Sequence, residues 1–192
     1  MRGRLGSRGT HCYGSGLTLQ PRYGHHHHDR CSLAGGYSAG GFAVYNSKLY
    51  ILGGFNINVG MVDTICEFNP SAPGWVLKNA HLPTALGYIP TATIGNVIYT
   101  AGGSTWDGAL HDSNFSFGYD PVADTISNIA TILRNTSETR ALNFCSQMLV
   151  MGGGRDAPNN PSNEVDVYDP VSNSWLLGQS FLTPRRDRHR RY

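Results

Sequence analysis

Leu49-Tyr50-Ile51-Leu52-Gly53-Gly54 is an apolar run that ends in two glycines, and it returns twice along the chain. The second copy is Val97-Ile98-Tyr99-Thr100-Ala101-Gly102-Gly103, and the third is Met148-Leu149-Val150-Met151-Gly152-Gly153. The first glycine therefore recurs at positions 53, 102 and 152, at intervals of 49 and 50 residues. A fixed period of this length predicts a repeat architecture in which each unit packs against the next.

Further positions follow the same period. An aromatic residue precedes a proline by two positions in Phe68-Asn69-Pro70, Tyr119-Asp120-Pro121 and Tyr168-Asp169-Pro170. Five residues after each proline stand Trp75, Ile126 and Trp175, and a leucine (Leu82, Leu133, Leu182) closes each unit. Over residues 41–184 this pattern resembles the kelch repeat. The resemblance implies an all-β fold made of kelch-type β-propeller blades.

The strands of each unit can be assigned from the pattern itself. A run of four or five apolar residues is typical of a strand buried on both faces, and the terminal glycines permit a close backbone approach where the chain leaves the sheet. We therefore predict twelve strands in three four-stranded antiparallel sheets, spanning about 35–84, 85–136 and 137–184. Phe68 with Trp75, and Tyr168 with Trp175, are expected to pair on adjacent strands. The middle sheet has Ile126 instead of tryptophan.

Three blades raise the question of closure, because closed propellers usually have four to eight. Three arrangements are compatible with the sequence: the chain is part of a longer propeller, two copies associate to give six blades, or the terminal segments cap the outer sheets. We favour the first. An incomplete or oligomer-completed propeller is thus the expected architecture.

The terminal segments differ in composition from the repeats. Residues 1–34 are rich in Gly, Arg, Ser and His without strand or helix periodicity, which predicts an irregular arm, and residues 185–192 form a basic tail. The two ends, 1–30 and 185–192, carry ten arginines against two aspartates, whereas residues 31–184 carry five cations and eleven acids. His25-His26-His27-His28 is interpreted as a solvated low-complexity tract.

The sequence gives expectations about membranes, nucleic acids and cellular location. It contains neither a secretory signal pattern nor an apolar run long enough to cross a membrane, so no membrane contact is expected. The basic tail has no interleaved aromatic residues except Tyr192, which argues against nucleic-acid binding. The low lysine count (Lys48 and Lys78) favours an extracellular over a cytoplasmic location.

Cysteines and glycine motifs give no catalytic pattern. The four cysteines form no C-x-x-C pair; Cys66 and Cys145 fall in predicted strands as free, buried residues, while pairing of Cys12 with Cys31 stays open. Gly36-Tyr37-Ser38-Ala39-Gly40 fits the serine-hydrolase elbow pattern, but that motif needs a strand-to-helix turn, so it is interpreted as a lead-in to the first strand. No cofactor or metal is expected, and we predict a protein that is not an enzyme.

The predicted function is a scaffold that binds another protein through loops at one end of the blades. Three variable loops, 55–62, 104–113 and 155–163, are expected there together with the connections 81–87 and 134–137. The candidate contact residues are Trp106, Asp107, His111, Arg155, Asp156 and His81. Trp106 has an equal claim to a structural role, covering the neighbouring sheet.

An alternative function follows from the family resemblance. Some kelch-like propellers are copper enzymes similar to galactose oxidase. The chain is alternatively a portion of a secreted carbohydrate-active or galactose-oxidase-like copper enzyme, or of a sugar-binding propeller. The copper site of that class takes histidines and tyrosines from several blades, and residues 41–184 offer only His81 and His111 as histidines.

Overall fold

The structure, a computed structural model, describes residues 37–154 and 161–184. Within these ranges the chain forms fifteen β-strands and no helix. The first sheet contains β1 (Tyr37–Ser38), β2 (Gly41–Tyr45), β3 (Lys48–Asn56), β4 (Gly60–Asn69) and β5 (Ala72–His81). The second region contains β6 (Thr91–Ile94), β7 (Val97–Ala101), β8 (Ser104–Trp106), β9 (Leu110–Asp112), β10 (Ser116–Asp120) and β11 (Thr125–Asn128). The third sheet contains β12 (Arg140–Phe144), β13 (Gln147–Met151), β14 (Val165–Asp169) and β15 (Ser174–Leu177).

Three antiparallel sheets account for twelve of these strands. Blade 1 has the order β2-β3-β4-β5, blade 2 has β6-β7-β10-β11, and blade 3 has β12-β13-β14-β15. The three additional strands are β1, which pairs with the end of β3, and the separate hairpin β8–β9. The all-β fold with three four-stranded sheets is therefore confirmed.

Successive blades are joined along their innermost strands, β2, β6 and β12. Thr91 donates through Oγ1 to the carbonyl oxygen of Phe42 at 2.5 Å, and Thr93 donates to that of Val44 at 3.0 Å. Asn143 Nδ2 in turn donates to the carbonyl oxygen of Thr93 at 2.9 Å. Side chains on β6 and β12 thus tie each of these two strands to the backbone of the preceding blade.

Two hydrophobic cores fill the spaces between the blades, and each contains a pair of tyrosines. Tyr50 of blade 1 meets Tyr119 of blade 2 with ring centroids 6.1 Å apart. Tyr99 of blade 2 meets Tyr168 of blade 3 at 5.4 Å. Because Tyr50 and Tyr99 occupy equivalent positions in the repeat, the same contact recurs at both joints.

The double glycines permit a close contact between blades. The N–H of Gly54 donates to the carbonyl oxygen of Leu86 at 2.7 Å, and the N–H of Gly103 donates to that of Thr136 at 2.8 Å. A Cβ on Gly53 would lie 2.3 Å from the Leu86 oxygen, so only glycine fits there. The glycines let the connection to the next blade lie directly against the end of the strand.

The aromatic pairs predicted on adjacent strands lie opposite each other. Phe68 is the partner of Trp75 across β4 and β5, with ring centroids 5.2 Å apart. Tyr168 is the partner of Trp175 across β14 and β15 at 5.1 Å. Trp175 also donates through Nε1 to the carbonyl oxygen of Ala130 in blade 2 at 2.7 Å.

Blade 2 is fastened to blade 1 at its outer turn by an aspartate in the left-handed conformation. Asp124 has φ +55°, and Tyr119 donates its hydroxyl to Asp124 Oδ1 at 2.9 Å. The same carboxylate accepts from the backbone N–H of Asn79 in blade 1 at 2.9 Å. Aspartate and asparagine tolerate this backbone conformation better than most residues do, so their side chains can cap a neighbouring strand from such a turn.

Blade 3 repeats the arrangement with asparagine. Asn173 has φ +48° and accepts from the Tyr168 hydroxyl at 2.8 Å and from the backbone N–H of Ala130 in blade 2 at 2.8 Å. We call this pair of tyrosine and aspartate or asparagine the Tyr–Asx anchor. It links the outer part of each of these two blades to the blade before it.

Several details of the strand prediction were wrong. Residues 55–62, predicted as a loop, extend the β3–β4 hairpin, with Phe55 opposite Met61, because their backbone groups continue the ladder beyond a bulge at Gly53. Leu82 is buried, but Leu133 and Leu182 are exposed. Ile132, which lies 50 residues after Leu82, is buried in the place assigned to Leu133.

Both cysteines predicted as free, buried strand residues also differ from expectation. Cys145 is exposed, because with φ +51° it forms the hairpin turn with Ser146 instead of ending the strand. Cys66 is buried in β4 as expected, but it is disulfide-bonded and not free. Cys12, Cys31 and the four-histidine tract lie outside the described residues.

A buried carboxylate, Glu67, lies beside the joint of blades 1 and 2. It accepts hydrogen bonds from Lys48 Nζ at 2.7 Å and from the Tyr50 hydroxyl at 2.8 Å, and Lys78 Nζ lies 3.6 Å away. Burial alone would raise the pKa of Glu67, but the hydrogen bonds from Lys48 and Tyr50 and the two lysine charges hold it below its ordinary value of 4.5. The ionised carboxylate therefore stabilises the folded state.

We expect Glu67→Gln to remove this contribution in a pH-dependent way. A lowered pKa stabilises the fold above the unfolded value and loses that effect as pH falls through the folded value. At pH 7 the variant should lose about 1–2 kcal/mol of unfolding free energy, and the difference from the wild type should shrink below about pH 4.5. Urea denaturation at a series of pH values measures this. A difference that stays constant down to about pH 3 would contradict the assignment.

Candidate functional site

The loops and inter-blade connections meet at one end of the blades, which we call the loop end. Because the strands are antiparallel, the links between the second and third strands lie at the same end as the connections to the next blade. Backbone bridges join them, between Gly87 and Ser104 and between Ser113 and Thr136. The predicted placement of 104–113 with 81–87 and 134–137 agrees with these contacts.

One exposed apolar feature of the loop end is the tip of the extended β3–β4 hairpin. Ile57 is 67% exposed and Val59 is 71% exposed, both in the turn between the two strands. The turn is held by Asn56, whose side-chain Oδ1 accepts from the backbone N–H of Asn58 at 2.9 Å. Two large apolar side chains are therefore presented to solvent on an ordered hairpin.

Trp106 stands beside this hairpin at the end of β8. Its ring meets the ring of Phe55 edge-on, with centroids 6.3 Å apart, yet 48% of the residue remains exposed. The tryptophan thus covers part of Phe55 in blade 1, and about half of it is exposed to solvent. We call Phe55, Ile57, Val59 and Trp106 the apolar tip.

Asp107 and His111 close the β8–β9 hairpin. His111 Nε2 lies 2.8 Å from Asp107 Oδ1, and Asp107 also accepts from the backbone N–H of Ala109. These hydrogen bonds hold the pKa of the Asp107 carboxyl below its ordinary value. The pair links the two ends of the hairpin turn, and because both side chains are exposed they offer polar groups next to Trp106.

The remaining candidates are separate from this pair. His81 ends β5 and places Nδ1 3.1 Å from Asp63 Oδ1 of its own blade. Arg155 and Asp156 lie outside the described residues. The structure therefore brings Trp106, Asp107 and His111 together on one hairpin and gives His81 a different partner.

Residues of the connection 134–137 mainly contact other parts of the protein and not solvent. Arg134 donates through Nε to Asp166 Oδ2 at 2.7 Å and through Nη2 to the carbonyl oxygen of Gly152 at 2.7 Å. Asp166 is fully buried, and burial raises the pKa of its carboxyl even though the Arg134 charge opposes the rise. Thr136 and Ser137 are buried as well. These residues hold blades 2 and 3 together.

A cleft that the sequence did not reveal opens where the three innermost strands begin. It has a volume of about 230 Å³ and is lined by residues from all three blades, among them Tyr88, Glu138 and Arg140. The residues that precede the innermost strands share a left-handed backbone, with φ +59° at Ala39, +54° at Tyr88 and +51° at Glu138. These positions are spaced by 49 and 50 residues, but alanine, tyrosine and glutamate share no propensity for positive φ, so only the repeat period could have pointed to them.

The lining of the cleft includes several polar side chains. Burial, with the negative charge of Glu138 adding to it, raises the pKa of the Tyr88 phenol, so the phenol is protonated at neutral pH and can donate a hydrogen bond. Thr91 and Thr139 also line the cleft, and their hydroxyls donate to the carbonyl oxygens of Phe42 and Met151. Arg140 adds a guanidinium to the lining.

The structure also bears on the serine-hydrolase pattern, on metal ligands and on membrane spans. Ser38 lies in β1, opposite Phe55 of β3, and not in a strand-to-helix turn. In the ranges 37–154 and 161–184 there is no group of three or more His, Cys, Asp or Glu residues that could hold a metal ion. Over the same ranges, no helix is long and apolar enough to cross a membrane.

Comparison with known proteins assigns the repeat. The sequence-family model of the Kelch motif matches residues 137–181, which span blade 3. Kelch-like protein terF of Aspergillus terreus is 30% identical over 135 residues, which cover 68% of this chain and 29% of that protein. This chain belongs to the kelch-repeat family.

Other kelch proteins are similar over comparable lengths. Kelch repeat and BTB domain-containing protein 1 of cowpox virus is 27% identical over 146 residues, covering 76% of this chain and 25% of that protein. Kelch-like protein 36 of Rattus norvegicus is 30% identical over 115 residues, covering 59% and 18%. This kelch chain therefore spans less than a third of the length of these relatives.

A solved structure supports the fold. The structure of YjhT superimposes with a TM-score of 0.66 at 15% identity, covering 78% of this kelch chain and 54% of that one. At this identity the similarity concerns the fold alone. The three sheets described above are accordingly kelch-type propeller blades.

Proposed function

We propose that this kelch protein is a non-enzymatic scaffold that binds another protein at the loop end. The observation that carries the proposal is the apolar tip, where Ile57, Val59 and Trp106 are each about half or more exposed. Exposed aromatic and aliphatic side chains on ordered backbone are characteristic of protein-binding surfaces, because burying them gains free energy with little loss of conformational entropy.

The surroundings of the apolar tip support protein recognition. The ring of Phe55 contacts the ring of Trp106 edge-to-face. This contact positions the tryptophan before a partner binds. Asp107 and His111 add exposed polar groups on the same β8–β9 hairpin as Trp106. An apolar centre with polar groups at its edge is the usual composition of a protein interface.

The kelch repeats and the side chains of the loop end also support a protein-binding scaffold. Kelch repeats provide a rigid frame from which loops of different length project, and recognition resides in such loops. The described side chains of the loop end offer hydrogen bonding, ion pairing and apolar contact. The mechanism is therefore display of a preformed surface, without bond-making chemistry.

Selection of peptides tests this proposal. A phage-displayed random peptide library is selected on the purified chain, and the enriched peptides are measured against a variant with Ile57→Ser, Val59→Ser and Trp106→Ala. We expect binding to weaken at least about tenfold, since truncation of hot-spot residues costs about 2 kcal/mol or more.

A matched control uses the opposite end of the blades. Val122 and Val171 are exposed in the turns between the third and fourth strands, and changing both to serine should leave peptide binding unchanged. Peptides that bind the tip variant as tightly as the wild type, or that respond to the control variant instead, would place recognition elsewhere.

A further inference from the structure

An exposed carboxylate lies on each of the two hairpins that form the apolar tip. Asp107 directly follows Trp106 in the turn of the β8–β9 hairpin, and its side chain is 74% exposed. Asp63 lies on β4, the second strand of the hairpin that carries Ile57 and Val59, and its side chain is 46% exposed. The apolar tip therefore has negative charge on both of its hairpins.

Both carboxylates are held in place by histidines. His111 Nε2 lies 2.8 Å from Asp107 Oδ1, and His81 Nδ1 lies 3.1 Å from Asp63 Oδ1. A neutral imidazole can donate one hydrogen bond to a carboxylate without cancelling its charge. The two negative charges are thus presented in fixed positions, which lowers the entropic cost of pairing them with a partner.

The basic residues of the described chain are engaged elsewhere. In the ranges 37–154 and 161–184 the lysines and arginines are Lys48, Lys78, Arg134 and Arg140. The two lysines contact Glu67, Arg134 contacts Asp166, and Arg140 begins β12 of blade 3. The segments 55–63 and 104–112, which form the apolar tip and its flanks, contain three aspartates and neither lysine nor arginine. A basic partner would consequently meet no like charge from these segments.

The pairing of Trp106 with Asp107 suits an arginine better than a lysine. A guanidinium is planar, so it can stack on an aromatic ring while its N–H groups donate to a carboxylate. Trp106 is 48% exposed, and the carboxylate of Asp107 belongs to the next residue. A lysine ammonium is a compact point charge that cannot make both contacts with the same geometry.

We propose that the partner bound at the apolar tip is a segment of another protein in which arginines lie beside an aliphatic or aromatic side chain. This inference rests on the proposed function, because it describes the chemistry of the partner recognised by the same surface. The apolar side chain packs against Ile57 and Val59, one arginine contacts Trp106 and Asp107, and a second arginine pairs with Asp63. The carboxylates also select against acidic partners, since like charges across an interface are unfavourable.

The composition of selected peptides tests the proposal first. A random phage-displayed peptide library is selected on the purified chain at low ionic strength and pH 8, where histidine is uncharged. We expect arginine to be enriched over the input library in those peptides that lose binding to the variant Ile57→Ser/Val59→Ser/Trp106→Ala. Changing these arginines to lysine should weaken binding at least about threefold, because lysine loses the stacked, bidentate geometry.

A pair of charge variants tests the contribution of the carboxylates. Asp63→Asn/Asp107→Asn removes two negative charges but keeps an oxygen that can accept the same hydrogen bonds. We expect it to weaken peptide binding at least about fivefold at low ionic strength, and less at about 0.5 M salt. The matched variant Asp120→Asn/Asp169→Asn removes two charges from turns at the opposite end of the blades, and it should stay within about twofold of the wild type.

The outcomes separate this inference from the proposed function. Peptides that depend on the apolar tip but lack arginine, or that respond equally to the two charge variants, overturn the inference and leave the scaffold proposal intact. Peptide binding that ignores the apolar tip overturns both.

A basic segment of a second copy is the competing occupant. Residues 185–192 contain five arginines, although they contain no aliphatic side chain. Sedimentation of the wild type and of Asp63→Asn/Asp107→Asn tests this occupant. Self-association that the charge variant abolishes would make a second copy the occupant and would overturn the proposal of another protein, whereas a monomer at all concentrations supports it.

Discussion

Replacing Arg134 with methionine should lower the free energy of unfolding by about 3–5 kcal/mol, because it leaves a buried carboxylate without its counter-charge. Asp166 is fully buried, and Arg134 Nε lies 2.7 Å from its Oδ2. The other oxygen, Oδ1, has no hydrogen-bond partner among the described residues. Arg134 is thus the principal group that compensates the buried charge.

The pH dependence of this loss has a defined sign. Burial already raises the pKa of Asp166, and removing the Arg134 charge raises it further. An acid whose pKa is raised on folding destabilises the fold more at higher pH, so Arg134→Met should cost more at pH 7 than at about pH 4. Urea denaturation of the wild type and the variant at both pH values measures the difference.

The double variant Arg134→Met/Asp166→Leu provides the control. Phe117 occupies the position of Asp166 in the preceding blade, which indicates that an apolar residue is compatible with this part of a joint. Apolar replacement of both members of a buried ion pair is often neutral, so the double variant should recover most of the loss. A single variant that loses less than about 1 kcal/mol would contradict this account of the joint.

Gly102→Ala should lower the free energy of unfolding by at least about 3 kcal/mol, through two effects that can be separated. The backbone of Gly102 has φ +67°, where a side chain costs about 1–2 kcal/mol. The added Cβ would in addition lie 2.2 Å from the carbonyl oxygen of Thr136, a backbone atom that cannot rotate away. The connection to blade 3 would therefore have to move.

Gly95→Ala isolates the first effect. Gly95 has φ +58°, but no atom lies within 4 Å of the position of its Cβ. It should therefore lose only the conformational term of about 1–2 kcal/mol. Thermal and urea denaturation of both variants gives the comparison. Equal losses at Gly95 and Gly102 would mean that the repeated glycines serve the turn of the chain and not the contact between blades.

The fold could be predicted because its determinants are local and repeat. The apolar runs, the double glycines and the aromatic pairs are read within single units of about 50 residues, and three copies corroborate one another. The boundaries were less accurate. The hairpin at 55–62 continues as strand because β1 and β4 pair with the end of β3, a fact that no local pattern contains.

The candidate site was predicted only in outline. Trp106 was identified from its residue type and its loop, but its contact with Phe55 joins residues of different blades. The cleft at the innermost strands was missed, because it depends on left-handed backbone at Ala39, Tyr88 and Glu138, which their residue types do not favour.

The repeat, its period and the four strands of each blade follow from the sequence alone. These depend on the sizes and polarities of residues that are near each other in the chain. The tertiary structure decided which side chains hold the blades together and which remain exposed. Arg134 and Asp166 are 32 residues apart, and Asp124 caps a strand end 45 residues earlier. Such pairs form only when whole sheets stack, because hydrogen bonds and buried charges depend on distances that the order of residues does not fix.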